Sequence, residues 1–176
     1  VRRKSAAYRV EGAEWHVADL VEVGAVEELI AALRPDEIYN LAGISRPVAS
    51  WDLPVEALAV NADLPLRILE TVRRRLPSCR VYQASSSEIF GNAAAETQDE
   101  FTPVRPENPY AVAKAAAHWL VRAYREKHGL FACGGILFNH ESPRRSLAYV
   151  TQRIATAAAL IAAGEVDGGV VDETGR

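Results

Sequence analysis

Apolar residues follow two alternating rhythms along the chain. Short blocks of strand length, Glu14–Val17, Glu37–Leu41, Arg80–Ala84 and Leu130–Phe138, are separated by longer stretches whose apolar positions recur every three or four residues, Glu22–Leu33, Glu56–Leu76, Pro109–His128 and Ala148–Ala163. A 3.6-residue period buries one stripe of a helix, and short apolar blocks suit strands of a buried parallel sheet, so the alternation predicts βαβ units. Arg34-Pro35 stops the first helix, because a residue before proline avoids the α region. Arg73, Arg74 and Arg75 favour the C-terminus of the second, and Pro77 ends it. Asn108 as cap, Pro109 in the first turn and Gly129 behind the last turn bound the third. Residues 43–54 and the polar connection 85–108 are predicted loops, and the length of the second marks it as a candidate functional segment.

A chain of 176 residues that is 49% hydrophobic can bury one substantial core, so one globular unit is the default. The formal net charge of -3, with no basic runs beyond Arg2-Arg3-Lys4 and Arg73-Arg74-Arg75, leaves no electrostatic footprint for nucleic acid and points to a small-molecule partner. Cys79 and Cys133 are too few for a disulfide framework or a metal site. No apolar run approaches the roughly 20 residues that span a bilayer, and charge at the very start argues against a signal peptide. The expectation is a soluble, cytoplasmic protein that makes no membrane contact.

The sharpest chemical signal is Tyr110-Ala-Val-Ala-Lys114. Four residues of helix put the phenol and the ammonium on one face, where the cation favours phenolate and equips Tyr110 as a base. By itself the spacing also fits a half-buried tyrosine beside a solvated lysine. Upstream, Ser85-Ser86-Ser87-Glu88 follows a predicted strand and sets hydroxyls and a carboxylate at the carboxyl edge of the sheet, where ligands bind in such folds. A plain serine turn is the alternative. Together the two motifs resemble the Ser/Thr-Tyr-Lys set of extended short-chain dehydrogenases.

Within that superfamily four strings resemble GDP-mannose 4,6-dehydratases: Pro35-Asp-Glu-Ile-Tyr-Asn-Leu-Ala42, Tyr82-Gln-Ala-Ser-Ser-Ser-Glu88, Asn108-Pro-Tyr-Ala-Val-Ala-Lys114 and Gly135-Ile-Leu-Phe-Asn-His-Glu-Ser-Pro-Arg-Arg145. The resemblance runs from the start to about Ala163 and implies a Rossmann-like, doubly wound parallel α/β sheet. It implies bound NADP, GDP-mannose as substrate, and a reaction in which hydride leaves C4 of the hexose, a proton leaves C5, water is lost at C6 and the hydride returns there. Tyr110 would take the C4 hydroxyl proton, Lys114 would hold the cofactor ribose and Ser86 would bond the C4 oxygen. Glu88 would remove the C5 proton, which simple dehydrogenases and reductases do not require. Asp19 and Leu20 would meet the adenine, and Leu41, Ala42 and Ser45 the pyrophosphate and ribose. Arg2 and Arg3 would meet the 2′-phosphate, which a planar cation suits, with His140 and Arg145 as further cofactor contacts. The resemblance leaves a homo-oligomer, dimer or tetramer, open.

Several positions depart from the family pattern. Ser86 stands where threonine is usual, which keeps the hydroxyl and loosens rotamer control. Glu56 stands where tyrosine is frequent and Ser146 where glycine is expected, with further differences at Gly43-Ile44 and Arg46-Pro47 and a shortened connection after Arg3. The strand, glycine-rich turn and helix that open such a fold are not in the sequence. The expectation is therefore an incomplete sheet whose first βα unit is missing, with a partial catalytic domain over 1–163 and a truncated tail over 164–176. Such a piece should be poorly stable and turn over little alone. The competing readings are a noncatalytic remnant or interaction partner, and an epimerase or dehydratase acting on another nucleotide sugar.

Overall fold

The computed structural model describes residues 11–93 and 97–165. Packing separates the chain after Phe138 into two units. Arg2 and Arg3 lie outside the described residues, as do 166–176 of the expected tail.

Among its described residues, the first unit holds a parallel sheet of three strands in the order β1 (Glu37–Asn40), β2 (Arg80–Ala84), β3 (Ala132–Gly135). Its register sets Tyr39 beside Tyr82 and Tyr82 beside Cys133. The alternate positions Ile38, Val81 and Ala132 face the helices α1 (Ala25–Leu33), α4 (Leu64–Arg75) and α5 (Pro109–His128), and join Ile30, Leu64, Ile68, Leu69, Val72 and Val121 in the main core. The strand pleat places Tyr39, Tyr82 and Cys133 on the opposite face. Among the described residues of this unit, Tyr39 on that face is 66% exposed. Among the described residues of this unit, the sheet is a partial Rossmann-like one with helices α1, α4 and α5 packed on one side.

The predicted helices are present with local differences. Leu33 is the last residue of α1, and Arg34, ahead of Pro35, leaves the right-handed helix with φ of 46°. In α5 Asn108 caps through its side chain, which accepts from the Ala111 N–H at 2.8 Å, and Gly129 closes the helix at φ 67°. The predicted helix Glu56–Leu76 is not uniform. It follows a short α2 (Ala49–Asp52), begins as α3 (Pro54–Leu58), widens into a π-turn over Ala59–Asp63 and resumes as α4. The cause is Pro65, which has no N–H for the Asn61 carbonyl and whose ring would strike it. The Leu64 N–H instead reaches back five residues to the Ala59 carbonyl.

The expected strand at Glu14–Val17 is absent. Residues 13–19 form no regular element and Val17 is fully exposed. A strand needs a neighbour to pair with, and among the described residues β1 is paired with β2 alone, with nothing on its outer edge to take a strand at 14–17. What organises this segment is Arg67, whose guanidinium donates to the Leu20 carbonyl at 2.6 Å, the Glu22 carbonyl at 3.3 Å and both Glu27 carboxylate oxygens at 3.1 Å.

The second unit contains α6 (Val150–Ala162), close to the predicted Ala148–Ala163. Ahead of it Arg145 pairs with Glu141 at 3.1 Å, donates to the His140 carbonyl at 2.7 Å and stacks over the Tyr149 ring at 3.9 Å.

Candidate active site

The carboxyl ends of β1 and β2 and the first turns of α5 supply the site. A parallel sheet presents its loops at that edge, so side chains far apart in sequence meet there. Asn40 ends β1 and Gln83 sits near the end of β2, and their buried amides bond at 2.7 Å. The Gln83 amide also donates to the Ala84 carbonyl at 2.9 Å. That carbonyl accepts a second bond, from the Lys114 ammonium at 2.9 Å. The lysine is 5% exposed, and burial alone lowers its pKa from 10.5 to about 8. It remains a cation at neutral pH, held against a backbone oxygen, 5.8 Å from the centroid of the Tyr110 ring.

Tyr110 is buried at the second residue of α5, so that the phenol and ammonium share one helix face as the spacing predicts. Ser86 is buried just beyond β2, where its hydroxyl caps a 3-10 turn, Ser87–Phe90, by accepting from the Glu88 N–H at 3.3 Å. This turn packs on α5 through Ile89, Phe90 and Ala115. Glu88 points outward and is exposed, but it is tied back to the helix: the Asn108 amide donates to its carboxylate at 3.3 Å while the Asn108 oxygen caps α5. One asparagine therefore joins the carboxylate to the helix terminus that carries Tyr110.

Two buried residues that the pattern reading passed over complete the site. Asn61, in the π-turn, is fully buried and donates to the Ile44 carbonyl at 3.1 Å, while its own side-chain oxygen has no partner. Ser50, also fully buried, accepts from the Tyr110 N–H at 3.1 Å. For Asn61 the available signal was a polar residue between the apolar Val60 and Leu64, with Pro65 four residues ahead.

The loop after β1 is held close to Lys114. The Asn40 side chain accepts from the Ala42 N–H at 3.2 Å, and a Cβ at Gly43 would collide with the Asn61 side-chain oxygen and come within 3.6 Å of the lysine nitrogen. Such a bare strip of backbone beside a lysine and an unpartnered amide oxygen fits the ribose and nicotinamide end of a dinucleotide. Leu41 is exposed here, Ala42 half-buried and Ser45 exposed. Asp19 is exposed and accepts from the Val21 N–H, and Leu20 packs on the core. His140 and Arg145 belong to the second unit. A groove of about 720 Å³ beside β3, lined among others by His118, Trp119, Arg122 and Arg125, includes none of Ser86, Glu88, Tyr110 or Lys114. It is separate from this chemistry.

A family model for GDP-mannose 4,6 dehydratase matches residues 2–173. GDP-mannose 4,6 dehydratase 2 of Arabidopsis thaliana is 45% identical over 153 residues, which are 85% of this chain and 41% of that protein. The GDP-mannose 4,6-dehydratase of Yersinia enterocolitica is 45% identical over 154 residues, 86% of this chain and 41% of that protein. Among solved structures, RMD from Pseudomonas aeruginosa complexed with NADPH superposes with a TM-score of 0.76 at 28% identity, covering 86% of this chain and 51% of that one. The UDP-glucose 4-epimerase of Thermus thermophilus in complex with NAD gives 0.70 at 26% identity, covering 83% and 47%. The chain thus spans about two-fifths of the length of the relatives it matches in sequence.

Proposed function

Because the chain belongs to the GDP-mannose 4,6-dehydratase family, we propose that the protein it represents converts GDP-mannose to its 4-keto-6-deoxy product on bound NADP. The observation that carries this reading is the convergence at one helix terminus of a buried tyrosine, a buried lysine and, through Asn108, a carboxylate. A dehydrogenase needs the first two, and simple dehydrogenases and reductases have no use for the third.

NADP, when bound, supplies the acceptor and later the donor of the hydride. Gly43 and Lys114 would hold its ribose end, with Leu41, Ala42 and Ser45 along the same loop and Asp19 and Leu20 toward the adenine. Arg2, Arg3, His140 and Arg145 are assigned to the same cofactor. Tyr110, as phenolate, accepts the proton of the C4 hydroxyl, and the neighbouring ammonium stabilises that phenolate before the proton arrives. The Ser86 hydroxyl bonds the C4 oxygen and fixes its direction. The Glu88 carboxylate removes the C5 proton and, once protonated, returns that proton to the departing C6 hydroxyl. Its exposed position suits a group that must reach a substrate lying over the sheet edge. A cytoplasmic location and a dimeric or tetrameric state belong to the same proposal.

The test is made on the full-length protein, purified and supplied with GDP-mannose. A 4-keto-6-deoxy sugar nucleotide is expected, and Glu88→Gln should slow its formation by about 10²–10⁴-fold, the usual worth of a positioned general base. A Glu88→Gln enzyme that dehydrates at the wild-type rate removes the carboxylate from the mechanism, and a wild type that releases no such product removes the dehydratase reading.

A further inference from the structure

We infer that Ser50 is a positioning residue for the reaction, fixing the main chain of Tyr110 and through it the phenol. The inference rests on the dehydratase reading for its kinetic part and on geometry alone for its structural part. The first amides of a helix have no partner within the helix. In α5 Pro109 has no N–H to satisfy, and the Ala111 N–H is taken by the Asn108 side chain. The Tyr110 N–H is left, and a residue 60 positions away accepts it: the Ser50 hydroxyl, at 3.1 Å in a buried setting.

Two features make this contact directional. Ser50 is 0% exposed, so no water competes for its oxygen. Its one hydroxyl proton is committed to the Pro47 carbonyl, which leaves a lone pair to receive the tyrosine amide. The Ser50 N–H also reaches Pro47, at 3.1 Å, so the serine is itself anchored in the turn that opens α2. Four residues along α5, Lys114 is bound to the Ala84 carbonyl. The helix segment from Tyr110 to Lys114 is therefore pinned at both ends, to α2 and to β2. Loss of the first pin frees the tyrosine end to shift while the lysine end stays in place. A shift of about 1 Å at a reacting group costs roughly 10²-fold in rate.

The structural part is tested on the wild type by amide hydrogen exchange. The Tyr110 amide should exchange as slowly as amides inside α5, because it is bonded and buried, whereas the second amide of a helix lacking such a partner exchanges as a frayed end. Rapid exchange at Tyr110 overturns the anchor, and this measurement needs neither a variant nor turnover. The kinetic part uses Ser50→Ala and Ser50→Cys in the full-length enzyme, the thiol keeping volume while offering a weaker acceptor. Ser50→Ala should lower kcat by about 10–100-fold with little change in KM for GDP-mannose. The isotope effect with substrate deuterated at C4 should rise, because hydride transfer becomes more rate-limiting, and Ser50→Cys should follow in the same direction by less. A merely structural role lowers the amount of folded enzyme and leaves the isotope effect unchanged, which would overturn the assignment. Failure of the wild type to dehydrate GDP-mannose is a distinct outcome: it rejects the dehydratase reading, while exchange at the Tyr110 amide still decides the anchor.

Discussion

Replacing Lys114 by methionine should make the protein inactive and more stable. The lysine is 5% exposed, and its pKa falls from 10.5 to about 8 through burial. Each tenfold change in proton affinity is worth about 1.4 kcal/mol, so keeping the charge in the folded state costs about 3 kcal/mol. The sign follows from the proton balance. Below pH 8 both folded and unfolded chains hold the proton and the full cost is present. Between pH 8 and 10.5 the folded chain releases it while the unfolded chain keeps it, so wild-type stability rises with pH across that window. Methionine has a similar unbranched reach and carries no charge. The Ala84 carbonyl left by the ammonium keeps its bond from Gln83, so no buried acceptor is orphaned. Allowing for the lost ammonium bond, Lys114→Met should gain about 1–3 kcal/mol at pH 7.5, read from urea unfolding of both proteins across a pH series. The gap should close as pH rises toward 10.5. A methionine variant less stable than wild type at pH 7.5, or a gap that stays constant with pH, refutes the reasoning.

Two further outcomes concern the frame around the site. Gly91 closes the Ser87–Phe90 turn at φ 56°, and a Cβ there would collide with the Arg105 carbonyl, whereas Gly129 at φ 67° has open space around it. Gly129→Ala should cost about 1 kcal/mol of backbone strain, and Gly91→Ala clearly more, the difference between their urea midpoints isolating the collision. Leu69 is 1% exposed in the main core, so Leu69→Ala should lower unfolding free energy by about 2–5 kcal/mol, with a loss under 1 kcal/mol arguing that α4 is not packed as described.

The parts of the fold that were legible in the sequence are those whose signals are local. α5 is bounded by its own cap, proline and glycine, and Tyr110 and Lys114 share a face because four residues of helix fix it. β1, β2 and β3 follow from apolar blocks between turn residues, with β3 shorter than the predicted Leu130–Phe138. The segment 14–17 has the composition of a strand, but composition cannot provide a partner, and none is bonded to it among the described residues. The π-turn was written locally too, in Pro65, yet the 3.6-residue rhythm of the surrounding leucines and valines masked it. Ser50 and Asn61 were harder to read for a different reason: their partners stand 60 and 17 positions away, and although Asn61 stands out as polar between Val60 and Leu64, nothing near either residue in the sequence indicates the contact.

The widened turn at Ala59–Asp63 has a consequence for how this chain can change over time. It holds one residue more than a regular turn would, and each residue of an α-helix advances the azimuth by about 100°. Deleting any one of those five would swing the stripe of Leu64, Ile68, Leu69 and Val72 away from the sheet and leave Pro65 still unable to bond the carbonyl four residues before it. Point substitutions at the outer positions of this stretch are tolerable, but a one-codon loss or gain is not, so gapless length between Ala57 and Leu64 should outlast sequence identity there.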